Sequence, residues 1–420
     1  MIIRRKNKNN LLRSELFWIM MLAAYFEPAY FSRLSIIDLI YDVMKIASLF
    51  ISIVLVIKNR KLPIVFLGAT IYYALLFLIT FVRYGDIKTV LFQFMVVIGS
   101  VSTLYLMSVY IPDKTIKCAL IVFEFLIYGN FISVLVAPRG LYRYITVTGW
   151  WTDACWLLGI RNGMTLTYLV ALYLEWVNFY FDKREKKRFI IFIIVASVTV
   201  YAINYSSSRL IGSGSAGGLV TCWLCVLLFF ILPRKIPFLN FANAFFIQLA
   251  FFILLVFFRI QRVFSFFIES FLHKTATLTG RVYLWQRVLQ AIKKSLFWGY
   301  GIEYGKNMAN RLRAPASVNT TQNGFLDIIY TGGVTLFCVF LIMMIIYIVV
   351  VSSYSSNMEL DTFVGYSTLV FFLCCQSESM IGARFFFYLQ LIMLTYSFFS
   401  TEEIQIKLHK ELLDTEISNK

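Results

Sequence analysis

The stretch FLDIIYTGGVTLFCVFLIMMIIYIVVV, residues 325–351, holds a single formal charge, Asp327, in 27 residues. A helix over it reaches about 40 Å, more than the roughly 30 Å hydrocarbon core of a bilayer. Outward from this stretch the same pattern recurs. Spanning windows fall at 16–31, 41–57, 62–82, 89–111, 115–137, 162–181, 189–205, 210–232, 239–258, 361–377 and 383–400, which with 325–351 makes about twelve crossings. The composition agrees, with 60% hydrophobic and 18% aromatic residues, only 15% charged, and a mean hydropathy of +0.76. Such a chain is excluded from the soluble classes, and the expected fold is an all-α polytopic integral membrane protein. The first two windows are the least regular, because Glu27 and Pro28 interrupt one while Asp42 and Lys45 sit inside the other.

An even number of crossings puts both termini on one side. The clusters RRKNKNNLLR (4–13), KNRK (58–61), DKREKKR (182–188) and PRK (233–235) share the side of the N-terminus, which the positive-inside rule makes cytoplasmic. A long apolar segment follows the N-terminal charges with no small-residue cleavage site, so no cleavable signal peptide is expected. The organisation that results has nine crossings in 1–258, a large extracytoplasmic loop in 259–324, three crossings in 325–400 and a cytoplasmic tail in 401–420. The expected location is the cytoplasmic membrane, with the lipid bilayer as the first partner. The net charge of +17 does not indicate nucleic acid, since the inner positives are short anchors with no binding fold between them. Cys222 and Cys225, and Cys374 and Cys375, lie inside apolar runs without further ligands, so no metal site and no cofactor are expected.

The two basic residue types divide. Of 20 arginines 13 fall outside or at the outer boundary (33, 83, 139, 143, 161, 209, 259, 262, 281, 287, 311, 313 and 384), whereas 13 of 19 lysines fall inside. Lysine suits an electrostatic anchor to anionic lipid, and the planar fork of arginine suits a bidentate grip on phosphate. A phosphate-bearing substrate at the outer face is the reading this favours.

The loop segment TLTGRVYLWQRVLQAIKKSLFWGYGIEYG (277–305) reads as an amphipathic helix at the outer surface. Val282, Trp285, Val288, Leu289, Ile292 and Leu296 share one face, with Arg287, Gln290, Lys293 and Lys294 opposite. Arg281 lies on the apolar face, where an arginine is costly unless paired. Gly214 and Gly218 have the small-xxx-small spacing of close helix packing, with Arg209 just before them. GYGIEYG mimics a nucleotide loop but has no strand before it, and SGSAG mimics a nucleophile elbow inside a span. Trp150 and Trp151, with Tyr142 and Tyr144, suit either sugar stacking or an aromatic belt.

The order S-x-S-R ending at Arg209, a long outer loop opening G-R-x-x-x-W at 280–285, W-G-Y-G at 298–301, and then Gln322, Asn323 and N-G-F-L with a glycine turn resembles the O-antigen ligase and Wzy-type polysaccharide polymerase superfamily. The motif-bearing part covers roughly residues 200–350, and the first half is similar in architecture only. The resemblance implies a GT-C-like membrane glycosyltransferase, working without metal. It would move a glycan from an undecaprenyl-pyrophosphate carrier to a sugar hydroxyl at the outer face, making capsule, O-antigen or exopolysaccharide, with a flippase and a chain-length regulator as partner proteins. It implies catalytic roles for Arg209, Arg281, Gln322 and Asn323, and for an outer carboxylate such as Glu378. Arg139, Arg143, Arg161, Arg287, Glu303 and Trp285 are then the substrate-binding set. The family usually has histidine where this chain has Gln322, and the two histidines present, His273 and His409, lie away from the motif. A base is therefore sought among Glu378, Glu303 and Asp153. Two alternatives remain open: a ligase acting on another acceptor, and a lipid-linked oligosaccharide flippase, which would be expected to show two related halves and short loops.

Overall fold

In the computed structural model the described residues are 11–145, 152–210, 217–260, 281–315, 318, 320–354, 357–376, 378–379, 382 and 384–399. They form helices α1 (Glu15–Ala23), α2 (Ser35–Asn59), α3 (Ile64–Val82), α4 (Ile87–Tyr110), α5 (Thr115–Val136), α6 (Thr165–Phe181), α7 (Lys186–Tyr205), α8 (Gly217–Phe229), α9 (Phe241–Val256), α10 (Arg281–Lys294), α11 (Asn307–Leu312), α12 (Gly324–Ser352), α13 (Met358–Cys375) and α14 (Arg384–Phe399).

Among the described residues, seven helical segments are long and apolar enough to cross a membrane: α2, α3, α4, α5, α7, α12 and α13, some with adjoining turns. Each of the remaining windows also contains a helix, but a shorter one. The first window differs most. Its helix ends at Ala23, and nine residues rise only about 13 Å, too little to cross a bilayer alone. The chain then turns through Glu27 and Pro28 into α2. The charges that disturbed these two windows are one another's partners, because Lys45, buried in α2, holds Glu27 Oε2 at 2.6 Å and Asp42 Oδ1 at 3.0 Å. Glu27, Asp38 and Asp42 are close enough together to suggest a cation site. The ammonium of Lys45 already supplies the positive charge there.

Apolar side chains face both inward and outward, as a bilayer solvent requires. On α2, Ile36, Val43, Phe50 and Ile57 recur every seventh residue and are all exposed, a stripe that needs lipid to cover it. The core is aromatic. Phe252, Phe325, Phe340, Phe372 and Phe385 interlock α9, α12, α13 and α14, with Phe325 and Phe372 stacked at 5.5 Å.

One element was not expected in an all-α chain. Between α5 and α6 lies a three-stranded antiparallel sheet of β1 (Tyr142–Ile145), β2 (Thr152–Trp156) and β3 (Gly159–Ile160), in the order β1-β2-β3. Tyr142 pairs with Cys155, and Ile145 with Thr152. Two buried polar groups of α5 fasten this sheet, since Asn130 Oδ1 accepts from Leu158 N at 3.1 Å and Ser133 Oγ from Leu157 N at 3.2 Å.

α12 is not one continuous helix. Gly333 takes φ 66 and ψ −168, which breaks it into 324–332 and 334–352. The segment 296–301 docks onto this break as a second backbone would. Tyr300 N donates to Tyr330 O at 3.0 Å, Gly301 N to Thr331 O at 2.7 Å, and in return Val334 N donates to Leu296 O at 2.8 Å. A Cβ on Gly333 would lie 2.3 Å from Phe297 C, and one on Gly299 would lie 2.6 Å from Tyr330 O. Both glycines also have positive φ, so the W-G-Y-G and T-G-G motifs are two halves of one clip.

Candidate active site

The helical ends expected outside gather around a cavity of about 790 Å3 at one end of the bundle. The opposite end, where the lysines lie, carries surface ion pairs such as Lys117 with Glu185 at 3.4 Å.

α10 forms over Arg281–Lys294 with the expected faces. Val282, Trp285, Val288 and Ile292 are buried, while Arg287, Gln290, Lys293 and Lys294 are exposed. The apolar face is covered by the protein itself, chiefly by α12 and α11. Leu296 departs from the expectation, since it lies beyond the helix end and is exposed.

Arg281 opens this helix and is paired. Its Nη2 lies 2.8 Å from Glu378 Oε1, and its Nε donates to Gln322 Oε1 at 3.2 Å. Arg281 and Glu378 are 24% and 25% exposed, so both are largely buried but still reach the surface. Asn162, just after Arg161 in the turn leading to α6, donates from Nδ2 to the same Glu378 oxygen at 3.4 Å. Burial pushes the Glu378 carboxyl above the ordinary carboxylate range, and the guanidinium of Arg281 opposes the rise, followed by Asn162 and Arg161. Both contacts fall on Oε1, leaving Oε2 outside them.

The backbone around Gln322 is specialised. Gln322 itself has a φ of 53, an uncommon conformation for a residue other than glycine. Asn323 is fully buried, and its side chain caps α12 by accepting from Leu326 N at 3.0 Å. Its amide nitrogen donates to Gln376 O at 3.1 Å, and Gln376 Nε2 continues to Gln248 O at 3.1 Å. Asp327 in the first turn accepts from Thr321 N at 3.0 Å and from the Ser379 hydroxyl. The polar pair and the Glu378 loop are therefore joined by side chains rather than by sequence.

The expected residues thus separate. Arg281, Gln322 and Glu378 are in direct contact, and Arg161 lies within electrostatic reach. Asn323, expected to be catalytic, is buried and spends its side chain on the cap of α12 and on Gln376. Trp285 was expected to meet substrate. It is buried, and its indole donates to Thr321 O at 3.1 Å, so it anchors α10 beneath Gln322. Glu303 lines the cavity but is held by Arg311 at 2.9 Å and by the Tyr330 hydroxyl, with Arg311 lying 4.0 Å over the Tyr300 ring. Arg139 and Arg143 are exposed near the sheet, and Arg287 donates to Arg313 O from an exposed position. Arg209 is exposed on a π-helical turn, Ser206–Leu210, and no hydrogen bond among the described residues ties it to Arg281. Gly218 comes against Asn162, where a Cβ would lie 3.4 Å from Oδ1. Trp150, Trp151, Ser213, Gly214, Arg262, His273 and His409 lie outside the described residues, as does the side chain of Asp153.

Several groups at the site gave no signal in the sequence. Asn162, Gln376, Ser379 and Asp327 join across intervals of 52 to 216 residues, so no spacing rule reaches them. Asp327 alone offered a hint, as the one charge in an otherwise apolar span.

Seven helices long and apolar enough to cross a bilayer, among the described residues, mark a multi-pass membrane protein, and an arginine, a carboxylate and amides meet beside a cavity at one end of it. Residues 205–341 match the O-antigen ligase family. The resemblance read from the motifs is borne out over that segment, which runs from the end of α7 into α12. Its members are membrane glycosyltransferase-like enzymes, ligases and polymerases, and the family implies lipid-linked polysaccharide substrates. No curated protein matches the chain.

Proposed function

We propose that this protein is a repeat-unit polymerase, transferring a glycan from an undecaprenyl-pyrophosphate carrier to a sugar hydroxyl at the outer face of the cytoplasmic membrane. The observation that carries the reading is the Arg281 pair with Glu378, 2.8 Å apart at the edge of the cavity. In the transfer, the bond from the anomeric carbon to the pyrophosphate oxygen breaks and a bond to the acceptor oxygen forms. Negative charge grows on the departing pyrophosphate, and Arg281, together with Arg161, whose charge acts on the same Glu378, would stabilise that charge without metal. The acceptor hydroxyl loses its proton as it attacks. Glu378 is the base, because its raised pKa brings it nearer the working pH than an ordinary carboxylate. Gln322 replaces the usual histidine as an orienting group, since its amide holds Arg281 at 3.2 Å but cannot take a proton.

Both termini are assigned to the cytoplasm, so that the arginine-rich end and the cavity face outward. A ligase would use the same bond changes and differ only in the acceptor. The departure from histidine favours polymerisation. In a strain deleted for the gene, the expected product is a single repeat unit on the carrier or surface, with export intact. Long polymer in that strain, or repeat units trapped on the cytoplasmic side, would overturn the reading.

A further inference from the structure

The segment that clips onto the break in α12 also lies along the turn between α3 and α4. Ile302 N donates to Thr80 Oγ1 at 3.1 Å, and Asp86 N donates to Ile302 O at 2.7 Å. Gly85 and Gly301 permit the approach, since a Cβ on Gly85 would lie 2.3 Å from Ile302 O and one on Gly301 2.7 Å from Thr80 Cα. Arg83 Nη2 donates to Ser295 Oγ at 2.6 Å, and that hydroxyl donates to Gly299 O at 2.8 Å. The end of α3, the end of α10 and the clip are thereby one surface.

Two kinds of side chain stand out from it. Phe81, Val82, Tyr84, Leu296, Phe297 and Trp298 are 45% to 91% exposed, an apolar patch that water covers poorly. Arg83, Lys293 and Lys294 are exposed beside them, and no carboxylate among the described residues pairs with any of the three. The acids closest in sequence are engaged elsewhere, Asp86 by Thr89 N and Oγ1, and Glu303 by Arg311 at 2.9 Å.

The depth of this surface follows from α3. Its 19 residues rise about 28 Å, close to the roughly 30 Å of a hydrocarbon core. With Lys58, Arg60 and Lys61 before one end, Arg83 stands where the hydrocarbon stops at the other. The aromatic side chains then lie at the boundary that tryptophan and tyrosine favour, with the three cations at the level of lipid phosphates. Arg281 is remote from them, because 13 residues of α10 separate it from Lys294, about 20 Å of helix. A pyrophosphate held by Arg281 is too small to reach the lysines as well.

We infer that Arg83, Lys293 and Lys294, framed by Tyr84, Phe297 and Trp298, form a seat for an anionic phospholipid at the cavity end of the bundle, distinct from the lipid carrier. Its phosphodiester meets the three cations, and the upper part of its acyl chains meets Phe297 and Trp298. Arg83 is held for this by Ser295 through Nη2, which leaves Nε and Nη1 for the phosphate. One lipid so placed joins α3, α10 and the clip, and braces the segment that backs the cavity wall.

Trp298 supplies the probe, because Trp18, Trp156, Trp176, Trp223 and Trp285 are buried. Full-length protein is reconstituted in phosphatidylcholine bilayers containing phosphatidylglycerol, with bromine on the acyl chains of one lipid or the other. The fluorescence lost on Trp298→Phe isolates this indole. Brominated phosphatidylglycerol should quench it with an apparent affinity at least about fivefold above that of brominated phosphatidylcholine, the weight of one basic residue at an anionic surface. The preference should fall toward unity in Arg83→Gln and in Lys293→Gln combined with Lys294→Gln, and should weaken as salt rises. Quenching by brominated phosphatidylcholine should stay as in the unaltered protein, which shows the clip still seated. Where Arg83→Gln changes that quenching, the lysine pair decides, since its side chains take no part in the clip. Equal quenching by the two lipids reduces the surface to an ordinary aromatic belt and overturns the seat. So does an absence of quenching by either lipid, or a preference that survives loss of both lysines. Displacement of brominated phosphatidylglycerol by undecaprenyl pyrophosphate at a far smaller share of the lipid would give the surface to the carrier, and overturns the seat as well.

Discussion

Arg281→Lys keeps the charge and removes the geometry, which makes it the sharpest test of the site. Arg281 uses two different nitrogens, Nη2 for Glu378 at 2.8 Å and Nε for Gln322 at 3.2 Å. A lysine has one nitrogen on a flexible stem and cannot hold both partners in one plane. Losing a positioned donor to a developing oxyanion costs about 3 kcal/mol in comparable sites, which is a rate loss on the order of a hundredfold. The exposed Lys293 and Lys294 at the far end of α10 touch no part of the pair and act as a screened field. Neutralising both should cost less than about tenfold, and the loss should shrink as salt rises, because the Debye length falls from about 10 Å at 0.1 M to 3 Å at 1 M. The assay is extension of lipid-linked repeat units by protein reconstituted in liposomes, read as a polymer ladder at matched protein level. Normal ladders from Arg281→Lys together with failure of the lysine pair would refute the reasoning and make α10 a docking surface.

Three further outcomes are expected. With Glu378 as base, initial rates should fall as pH drops through a pKa above the ordinary carboxylate value of about 4.3, and because Arg281 opposes that rise, Arg281→Gln should move the acid limb to still higher pH; an unmoved limb separates Glu378 from the proton transfer. Gly299→Ala introduces a side chain at φ 58 and 2.6 Å from Tyr330 O, so thermal unfolding should show a loss of about 3 kcal/mol, from left-handed strain of about 1 kcal/mol and overpacking of about 2 kcal/mol, and an unchanged melting temperature would mean the clip is dispensable. Single cysteines at Lys306 and at Lys186, in a cysteine-free background, should react and fail to react respectively with an impermeant reagent added from outside; the reverse pattern inverts the orientation and removes the site from the outer face.

What could be read from the sequence follows from range. Apolar windows report a property of consecutive residues, so the positions of the helices were legible even where, as at α1, the element is too short to cross. The face of α10 was legible for the same reason, and so was the need of Arg281 for a partner. Its identity was not, because Glu378 lies 97 residues away. The sheet was missed since strands of four, five and two residues offer too few alternations to stand out beside spans. Asn323 was read as chemistry because it sits in a polar motif, whereas capping and tertiary bonding use its whole side chain. Glu27 and Lys45 read as faults in two spans and are instead a buried pair bordering the cavity. Their match across 18 residues could have been guessed from charge alone.

The break at Gly333 divides labour within α12. The piece 334–352 contains 19 residues and rises about 28 Å, close to the roughly 30 Å of hydrocarbon it would have to cross. The piece 324–332 is thus surplus to the crossing. It carries Asp327, Tyr330 and Thr331 into the cavity wall, and its last carbonyls are given to Tyr300 and Gly301 rather than to the helix below. The loop holds both sides of the break, the upper piece through Tyr330 and Thr331 and the first turn of the lower one through Val334 and Thr335, and Asn323 ties the upper end to Gln376, so the wall of the site takes its alignment from the protein rather than from the lipid.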